Sequence, residues 1–262
     1  MNAWLWNDSA FDSLTSLPVT DRGFRYGMAL FETVRLFRGR PLFLAEHAEK
    51  LRAASAERAF PPCEPALAAL APLLAQQPDG VARIYITAGD GAGFADDVSA
   101  PRIIVLSEAR PDPDPAPCRL MLAPGVYHAP FGGLKTANYW LNIDALQQAL
   151  RSGHDESLLF NENAELVSAA TANIFIVRDG VVSTPSAACG ARQGVTRAWA
   201  MQQLAPRECS LFVQDLRTAD ELFLTSSWFG IRPVASLEGR TLPSRSIGVQ
   251  LMSDFEQEIA TP

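Results

Sequence analysis

The chain has 262 residues, 48% of them hydrophobic, which is enough to bury the core of one large domain or two modest ones. Its formal net charge of -7 leaves no basic surface for nucleic acid, and no run of Lys or Arg suggests an anionic membrane as a partner. No apolar run approaches the roughly 20 residues of a membrane helix, and the N-terminus lacks a signal-peptide pattern. We therefore expect a cytoplasmic protein that acts on a small molecule. The 4 cysteines and 3 histidines are scattered without metal-ligand spacing, so we expect reduced thiols and no metal site.

The first part of the chain alternates strand patterns with helix patterns. Strands are predicted at residues 4–6, 29–37, 41–44, 81–87 and 102–106. The turn at 38–40 predicts a hairpin, and the apolar spacing from 45 to 60 predicts an amphipathic helix. A further helix is expected at 67–74, kinked or broken by Pro72.

Two loops in this region are informative. Residues 89–93 are rich in glycine but lack the spacing of a phosphate-binding loop, so we interpret them as a substrate-side loop. Residues 110–117 contain four prolines in eight residues, which predicts a stiff connector. We therefore predict a small N-terminal α/β domain at 1–109, a linker at 110–117 and a larger C-terminal domain at 118–262.

The second half is dominated by strand patterns. Strands are predicted at 119–122, 157–160, 166–177, 181–184 and 222–227, and helices at 142–151, 195–204 and 247–259. The N–H groups at the start of the helix at 195–204 could bind a phosphate, with Thr196 in that first turn. Thr196 could equally be an ordinary N-cap.

Lys135 lies ahead of the first of these helices, in Gly132-Gly133-Leu134-Lys135-Thr136-Ala137-Asn138-Tyr139. A lysine in a partly apolar pocket can lose its proton, attack an aldehyde and hold it as a Schiff base, which is how proteins tether pyridoxal phosphate. A solvated surface lysine is the alternative, since the chain carries 22 Lys and Arg residues.

Several segments together resemble the class IV aminotransferase family, the pyridoxal phosphate enzymes of fold type IV. They are residues 21–27, 31–35, 132–139, 164–177 and 194–197, and the resemblance extends in the expected order from about Asn7 to Arg240. It implies an α/β (α+β) fold of two domains with pyridoxal 5'-phosphate in the cleft between them. It further implies a homodimer, a small amino compound as the substrate, and Lys135 as the catalytic residue. The implied cofactor-binding residues are Lys50, Tyr139, Ser168, Thr171, Ala172, Val195, Thr196, Ser226 and Ser227.

The chain departs from the family pattern at three positions. Lys50 replaces an arginine that binds the cofactor phosphate, which keeps the charge but loses the planar fork of the guanidinium. Met28 replaces the acid of a Tyr-Gly-Asp-Gly motif. Ser168 replaces a glutamate that holds the proton of the cofactor ring nitrogen, and Glu165 is a poor substitute because strand alternation places it on the opposite face.

Ser168 bears on the reaction type. A serine hydroxyl can donate to a neutral ring nitrogen, whereas a carboxylate favours the protonated ring, which is the stronger electron sink. Because transamination needs a long-lived delocalised anion, we expect a lyase, with 4-amino-4-deoxychorismate lyase in folate synthesis as the leading interpretation. The alternatives are an aminotransferase acting on D-amino acids, branched-chain amino acids or amines, and a family member that has lost catalysis. Arg25, Arg35 and Arg83 are unranked candidates for binding the substrate carboxylate.

Overall fold

The computed structural model describes residues 1–91 and 95–261 and divides into two compact units. The first unit contains Met1–Asp112 and Leu134–Asn138, and the second contains Pro113–Gly133 and Tyr139–Pro262. Lys135 therefore belongs to the first unit. The domain division at 110–117 stays a prediction.

The first unit is built on a sheet that, within the described residues, has six antiparallel strands in the order β2-β1-β6-β5-β3-β4. Its strands are β1 (Asn2–Trp6), β2 (Phe11–Ser13), β3 (Ala29–Phe37), β4 (Arg40–Pro41), β5 (Gly80–Thr87) and β6 (Arg102–Ala109). Its helices are α1 (Arg22–Tyr26), α2 (Leu44–Glu57), α3 (Glu64–Ala68) and α4 (Leu70–Leu74). The strands expected at 4–6, 29–37, 81–87 and 102–106, the hairpin and the long helix are confirmed. The strand expected at 41–44 is shorter, because β4 ends at Pro41 and Leu44 already begins α2.

Alternating residues of β3 explain how this sheet forms its core. Leu30, Val34 and Leu36 point to the face that packs with Leu51 of α2 and Ile84 of β5, and all five are buried. A strand sends successive side chains to opposite faces, so the odd-numbered residues of β3 lie on the other face. That second face carries Phe31, which contacts Lys135.

The helix expected at 67–74 is broken, but the break lies at Ala69 and not at Pro72. Proline has no N–H, so the carbonyl of Ala68, four residues earlier, loses its helical donor and α3 ends there. Pro72 itself lies inside α4. In the loop expected at 89–93, Ala92 and Gly93 lie outside the described residues.

The second unit contains a larger sheet, nine-stranded over the part of the chain that the structure describes. Its strands are β7 (Cys118–Leu122), β8 (Glu156–Phe160), β9 (Leu166–Ala169), β10 (Asn173–Arg178), β11 (Val181–Pro185), β12 (Arg207–Cys209), β13 (Glu221–Ser226), β14 (Gly230–Leu237) and β15 (Arg240–Thr241). Its helices are α5 (Trp140–Arg151), α6 (Val195–Leu204), α7 (Val213–Arg217) and α8 (Ser246–Ala260). The order is β12-β11-β10-β13-β14-β7-β8-β9, and β15 pairs with β14.

Two features of this sheet position candidate site residues. The strand pattern at 166–177 is interrupted by a bend at 170–172, so β9 and β10 are separate strands. Asn173, at the start of β10, pairs with Thr225 near the end of β13. Helix α6 packs against β13.

None of the helices in the described parts of the chain is long and apolar enough to cross a membrane.

Candidate active site

The backbone of Lys135 is held by β3. The Phe31 N–H donates to the Lys135 carbonyl over 2.9 Å, and the Ala137 N–H donates to the Ala29 carbonyl over 2.8 Å. The segment Leu134–Asn138 therefore runs beside β3 in the manner of a short extra strand. The sheet fixes the point from which the lysine side chain extends.

The amine of Lys135 lies over an aromatic surface. Its Nζ is 4.0 Å from the centroid of the Phe31 ring, and Phe31 stacks on Tyr85 with ring centroids 5.2 Å apart. A cation is attracted to an aromatic face, and the ring also shields that side of the amine from water. Phe31 is buried and Lys135 is half-buried, which is the partly apolar setting that a nucleophilic lysine requires.

A buried acid supplies the negative charge near this lysine. Glu32 accepts a hydrogen bond from His47 of α2, with 2.8 Å between Nδ1 and Oε2, and both residues are buried. Burial acts to raise the pKa of Glu32, but the His47 hydrogen bond and the electrostatic interactions with His47, Lys135 and Lys50 outweigh it and lower that pKa. Glu32 therefore stays ionised at neutral pH.

The sequence reasoning missed the roles of Glu32 and His47. Both were visible only as parts of motifs, Phe31-Glu32-Thr33 and Glu46-His47-Ala48. The available signal was the one acid in β3, a strand that is apolar apart from Glu32, Thr33 and Arg35, because a buried acid needs a partner. Lys50 lies one helical turn after His47, and the charges of Lys50 and Lys135 both act to lower the pKa of Glu32.

The three candidate arginines of the first unit are engaged differently. Arg25 is exposed, and its guanidinium carbon is 4.7 Å from the centroid of the Tyr26 ring. Arg35 is buried and donates to Asp112 over 3.0 Å. Arg83 is half-buried and lies 3.6 Å from Glu108. These contacts do not select one of the three as a carboxylate ligand.

Tyr139 is the first candidate site residue of the second unit in chain order. It immediately precedes α5, and its hydroxyl oxygen accepts a hydrogen bond from Arg192 over 3.1 Å. The Arg192 carbonyl in turn accepts from the Asn173 side-chain amide over 2.8 Å. The structure thus connects Tyr139, the start of β10 and the loop before α6.

Thr171 and Ala172 lie in the bend between β9 and β10, just after Ser168. The Thr171 N–H donates to Glu156 of β8 over 2.9 Å, and the Ala169 N–H donates to the Ala172 carbonyl over 2.9 Å. Burial raises the pKa of Glu156 to about 8, although its hydrogen bonds with Thr171 act in the opposite direction. This bend is therefore held in one conformation by a buried carboxyl group.

Glu165, which we expected to be a poor substitute for the missing glutamate, forms hydrogen bonds with two other residues. Its carboxylate accepts from Asn161 and Ser210. Hydrogen bonds from Asn161 and Ser210 lower the pKa of Glu165 below its ordinary value.

The start of α6 fits a phosphate. Gly194 is the N-cap and provides no side-chain cap, so the interpretation of Thr196 as the N-cap is wrong: Val195 and Thr196 are the first two helical residues. A Cβ at Gly194 would lie 2.5 Å from the Asn173 side-chain oxygen, so only glycine brings the backbone this close. A helix start without a side-chain cap presents N–H groups and a positive dipole end to an anion.

The remaining predicted contacts, Ser226 and Ser227, lie at the end of β13, the strand that packs with α6 and pairs with β10. The Ser226 hydroxyl accepts from the Trp228 N–H over 3.2 Å, which forms a tight turn. Hydroxyls in such a turn, together with the helix start, are a donor set suited to a phosphate. The helix start and hydroxyls of the second unit therefore form a donor set that fits a phosphate group. In the first unit, the half-buried Lys135 amine is a group that can react with an aldehyde.

Comparison with known proteins identifies the family. Residues 29–237 match the family described as amino-transferase class IV. The chain belongs to this family. It is 26% identical to a D-alanine aminotransferase of Listeria innocua over 93% of its length and 91% of the relative. A match to a Methanocaldococcus jannaschii protein, named among the branched-chain-amino-acid aminotransferases, is 35% identical but spans 44% of this chain and 42% of that protein.

The fold is likewise shared with solved structures of the family. The structure of 4-amino-4-deoxychorismate lyase from Pseudomonas aeruginosa superposes with a TM-score of 0.87 at 28% identity, covering 98% of each chain. The predicted mixed α/β fold of the fold-type IV enzymes is confirmed. The roles of the individual site residues stay predictions.

Proposed function

We propose that this class IV aminotransferase family member binds pyridoxal 5'-phosphate through Lys135 and acts as a 4-amino-4-deoxychorismate lyase, releasing pyruvate and 4-aminobenzoate. The observation that carries the proposal is the placement of the Lys135 amine on the Phe31 ring, with a charge that also acts on the ionised Glu32 of the same strand. Pyridoxal phosphate supplies an electrophilic aldehyde and an electron-withdrawing ring when bound. The residues proposed to hold its other groups are Lys50, Tyr139, Ser168, Thr171, Ala172, Val195, Thr196, Ser226 and Ser227.

The residues around Lys135 suit proton transfer. Its Nζ takes the proton from the amine-bearing carbon of the substrate, acting as a general base. Phe31 excludes water from one side of this amine, and the Glu32 carboxylate stabilises the ammonium form that results. His47 holds Glu32 in its position and ionisation state.

Ser168 favours the lyase over the aminotransferase. It offers a neutral hydroxyl where the family pattern has a carboxylate, which weakens the ring as an electron sink and disfavours slow steps that need a long-lived anion. The likeness to the Pseudomonas aeruginosa lyase over 98% of both chains supports the same choice. The similarity to D-alanine aminotransferase keeps amino-group transfer as the second candidate.

Two assays on the cofactor-loaded protein test the proposal. Pyruvate release from aminodeoxychorismate is expected, and amino transfer from D-alanine or branched-chain amino acids to a keto acid is expected to be slow. Rapid conversion of the cofactor to its pyridoxamine form by several amino acids would instead support an aminotransferase. A protein that binds no cofactor at Lys135, as judged by borohydride trapping and peptide mass, would be a family member without catalysis.

A further inference from the structure

Arg192 differs from the other shielded arginines of the second unit in what its guanidinium contacts. Arg197 pairs with Glu208, Arg232 donates to the Ala116 carbonyl, and Arg240 donates to backbone carbonyls. Arg192 is half-buried, and within residues 1–91 and 95–261 its side chain contacts the oxygen and ring of Tyr139 with no carboxylate in ion-pair range. A phenol oxygen does not neutralise a guanidinium, so the charge is left for another group.

The position of this charge is fixed by its backbone. The Arg192 carbonyl accepts from the Asn173 side chain over 2.8 Å and from the Gly194 N–H over 3.0 Å. Its guanidinium carbon lies 4.9 Å from the centroid of the Tyr139 ring, so the planar group is held over the aromatic face. A cation fixed before a ligand arrives loses little side-chain entropy on binding it.

We propose that Arg192 and Tyr139 form an anion-binding pair that holds an anionic oxygen of the bound ligand. The inference rests on the proposed function, because it takes the ligand to be either the cofactor or a carboxylate of the substrate. A guanidinium offers several N–H donors in one plane, which matches the two oxygens of a carboxylate or phosphate. In this protein Arg192 would thus supply a forked cation, the geometry that Lys50 cannot provide.

Variants at this position separate charge from geometry. Arg192→Gln removes the charge, and Arg192→Lys keeps the charge but removes the fork. Arg151→Gln is the matched control: Arg151 is exposed at the far end of α5, roughly 18 Å along the helix from Tyr139 at 1.5 Å per residue. Thermal unfolding of each variant verifies that the protein is folded.

Two binding measurements distinguish the sources of the anionic oxygen. In the first, apoprotein is titrated with pyridoxal 5'-phosphate and the visible absorbance is followed. In the second, cofactor-loaded protein is titrated with 4-aminobenzoate and with 4-aminobenzamide, its neutral counterpart. Loss of one charge-assisted hydrogen bond corresponds to about a tenfold to hundredfold weaker binding.

The affinities of the Arg192 variants for the two ligands decide between the two sources of the anionic oxygen. If Arg192 holds the cofactor, Arg192→Gln weakens pyridoxal phosphate binding about tenfold or more relative to Arg151→Gln. If it holds the substrate carboxylate, Arg192→Gln abolishes the preference for 4-aminobenzoate over the amide, and Arg192→Lys keeps part of it. Equal behaviour of Arg192→Gln and Arg151→Gln in both titrations overturns the inference. Failure of the wild-type protein to bind pyridoxal phosphate at Lys135 refutes the proposed function instead.

Discussion

Glu156 predicts a pH-dependent stability that can be measured without substrate. This residue of β8 is 3% exposed; one carboxyl oxygen accepts from the Thr171 N–H, and the other has no hydrogen-bond partner among the described residues. Burial raises its pKa from the ordinary 4.5 to about 8. The folded protein therefore keeps this proton over a pH range in which the unfolded chain releases it.

The sign and size of the effect follow from proton linkage. Between pH 4.5 and about 8 the folded state binds the proton more tightly, so the free energy of unfolding falls as the pH rises. One pH unit of difference is worth about 1.4 kcal/mol, so the full contribution of Glu156 approaches about 5 kcal/mol. The loss is complete above pH 8, where the carboxyl ionises in both states.

Glu156→Gln removes this titration but keeps an oxygen that can accept from the Thr171 N–H. At pH 5 the variant should be less stable than the wild type by about 1–3 kcal/mol, because it buries an unpaired amide. By pH 9 the order should reverse, since only the wild type buries a charge. Urea unfolding at pH 5, 7 and 9 measures the difference, with Glu165→Gln as the control. Hydrogen bonds keep the Glu165 pKa low, so that control should give a constant difference.

A constant stability difference between wild type and Glu156→Gln from pH 5 to 9 would refute this reasoning. It would mean that the buried carboxyl titrates at its ordinary value, through water or a partner that reaches the unpaired oxygen. A slope of the opposite sign would mean that Glu156 is stabilised as a carboxylate.

Three further predictions concern the active site and the assembly. Lys135→Ala should abolish borohydride-stable attachment of pyridoxal phosphate and lower activity by more than about 1,000-fold, because nucleophile and base are lost together; peptide mass and pyruvate release measure this. Glu32→Gln should destabilise the protein at pH 7 by about 1–3 kcal/mol in urea unfolding, since it weakens the buried pair with His47. That difference should shrink as the pH falls below 4.5 and Glu32 is protonated. We also propose a homodimer, because α5 exposes the apolar residues Trp140, Leu141 and Ile143; Trp140→Glu should shift light-scattering mass toward the monomer.

Exposed residues of α2, which carries His47, and of α5, which carries Trp140, provide the controls. Glu49→Gln on the outer side of α2 should leave the free energy of unfolding within about 0.5 kcal/mol of the wild type. Gln147→Glu adds the same charge to an exposed position of α5 and should leave the mass unchanged. A dimer that survives Trp140→Glu would place the interface elsewhere.

Local patterns were sufficient for most of the elements. The alternation in β3, the helical spacing in α2 and the turn at 38–40 each act over a few residues, so they can be read from neighbouring side chains. The details also had local causes: Pro72 breaks the helix expected at 67–74 at Ala69, through a carbonyl four residues earlier, and Gly194 takes the cap position that was one of two alternatives for Thr196. The class IV aminotransferase family was likewise recognisable from short motifs, and the same motifs predict Lys135 as its reactive lysine.

The contacts among the candidate site residues were decided by the tertiary structure. Glu32 and His47 are 15 residues apart, and Tyr139 and Arg192 are 53 apart, so no local pattern predicts that they touch. Charge states depend on burial and on partners brought by other strands, which explains why Glu32 is ionised and Glu156 is protonated although both are glutamates. The sequence by itself determined which residues could react, because side-chain chemistry is intrinsic. Only folding decided which charges they face.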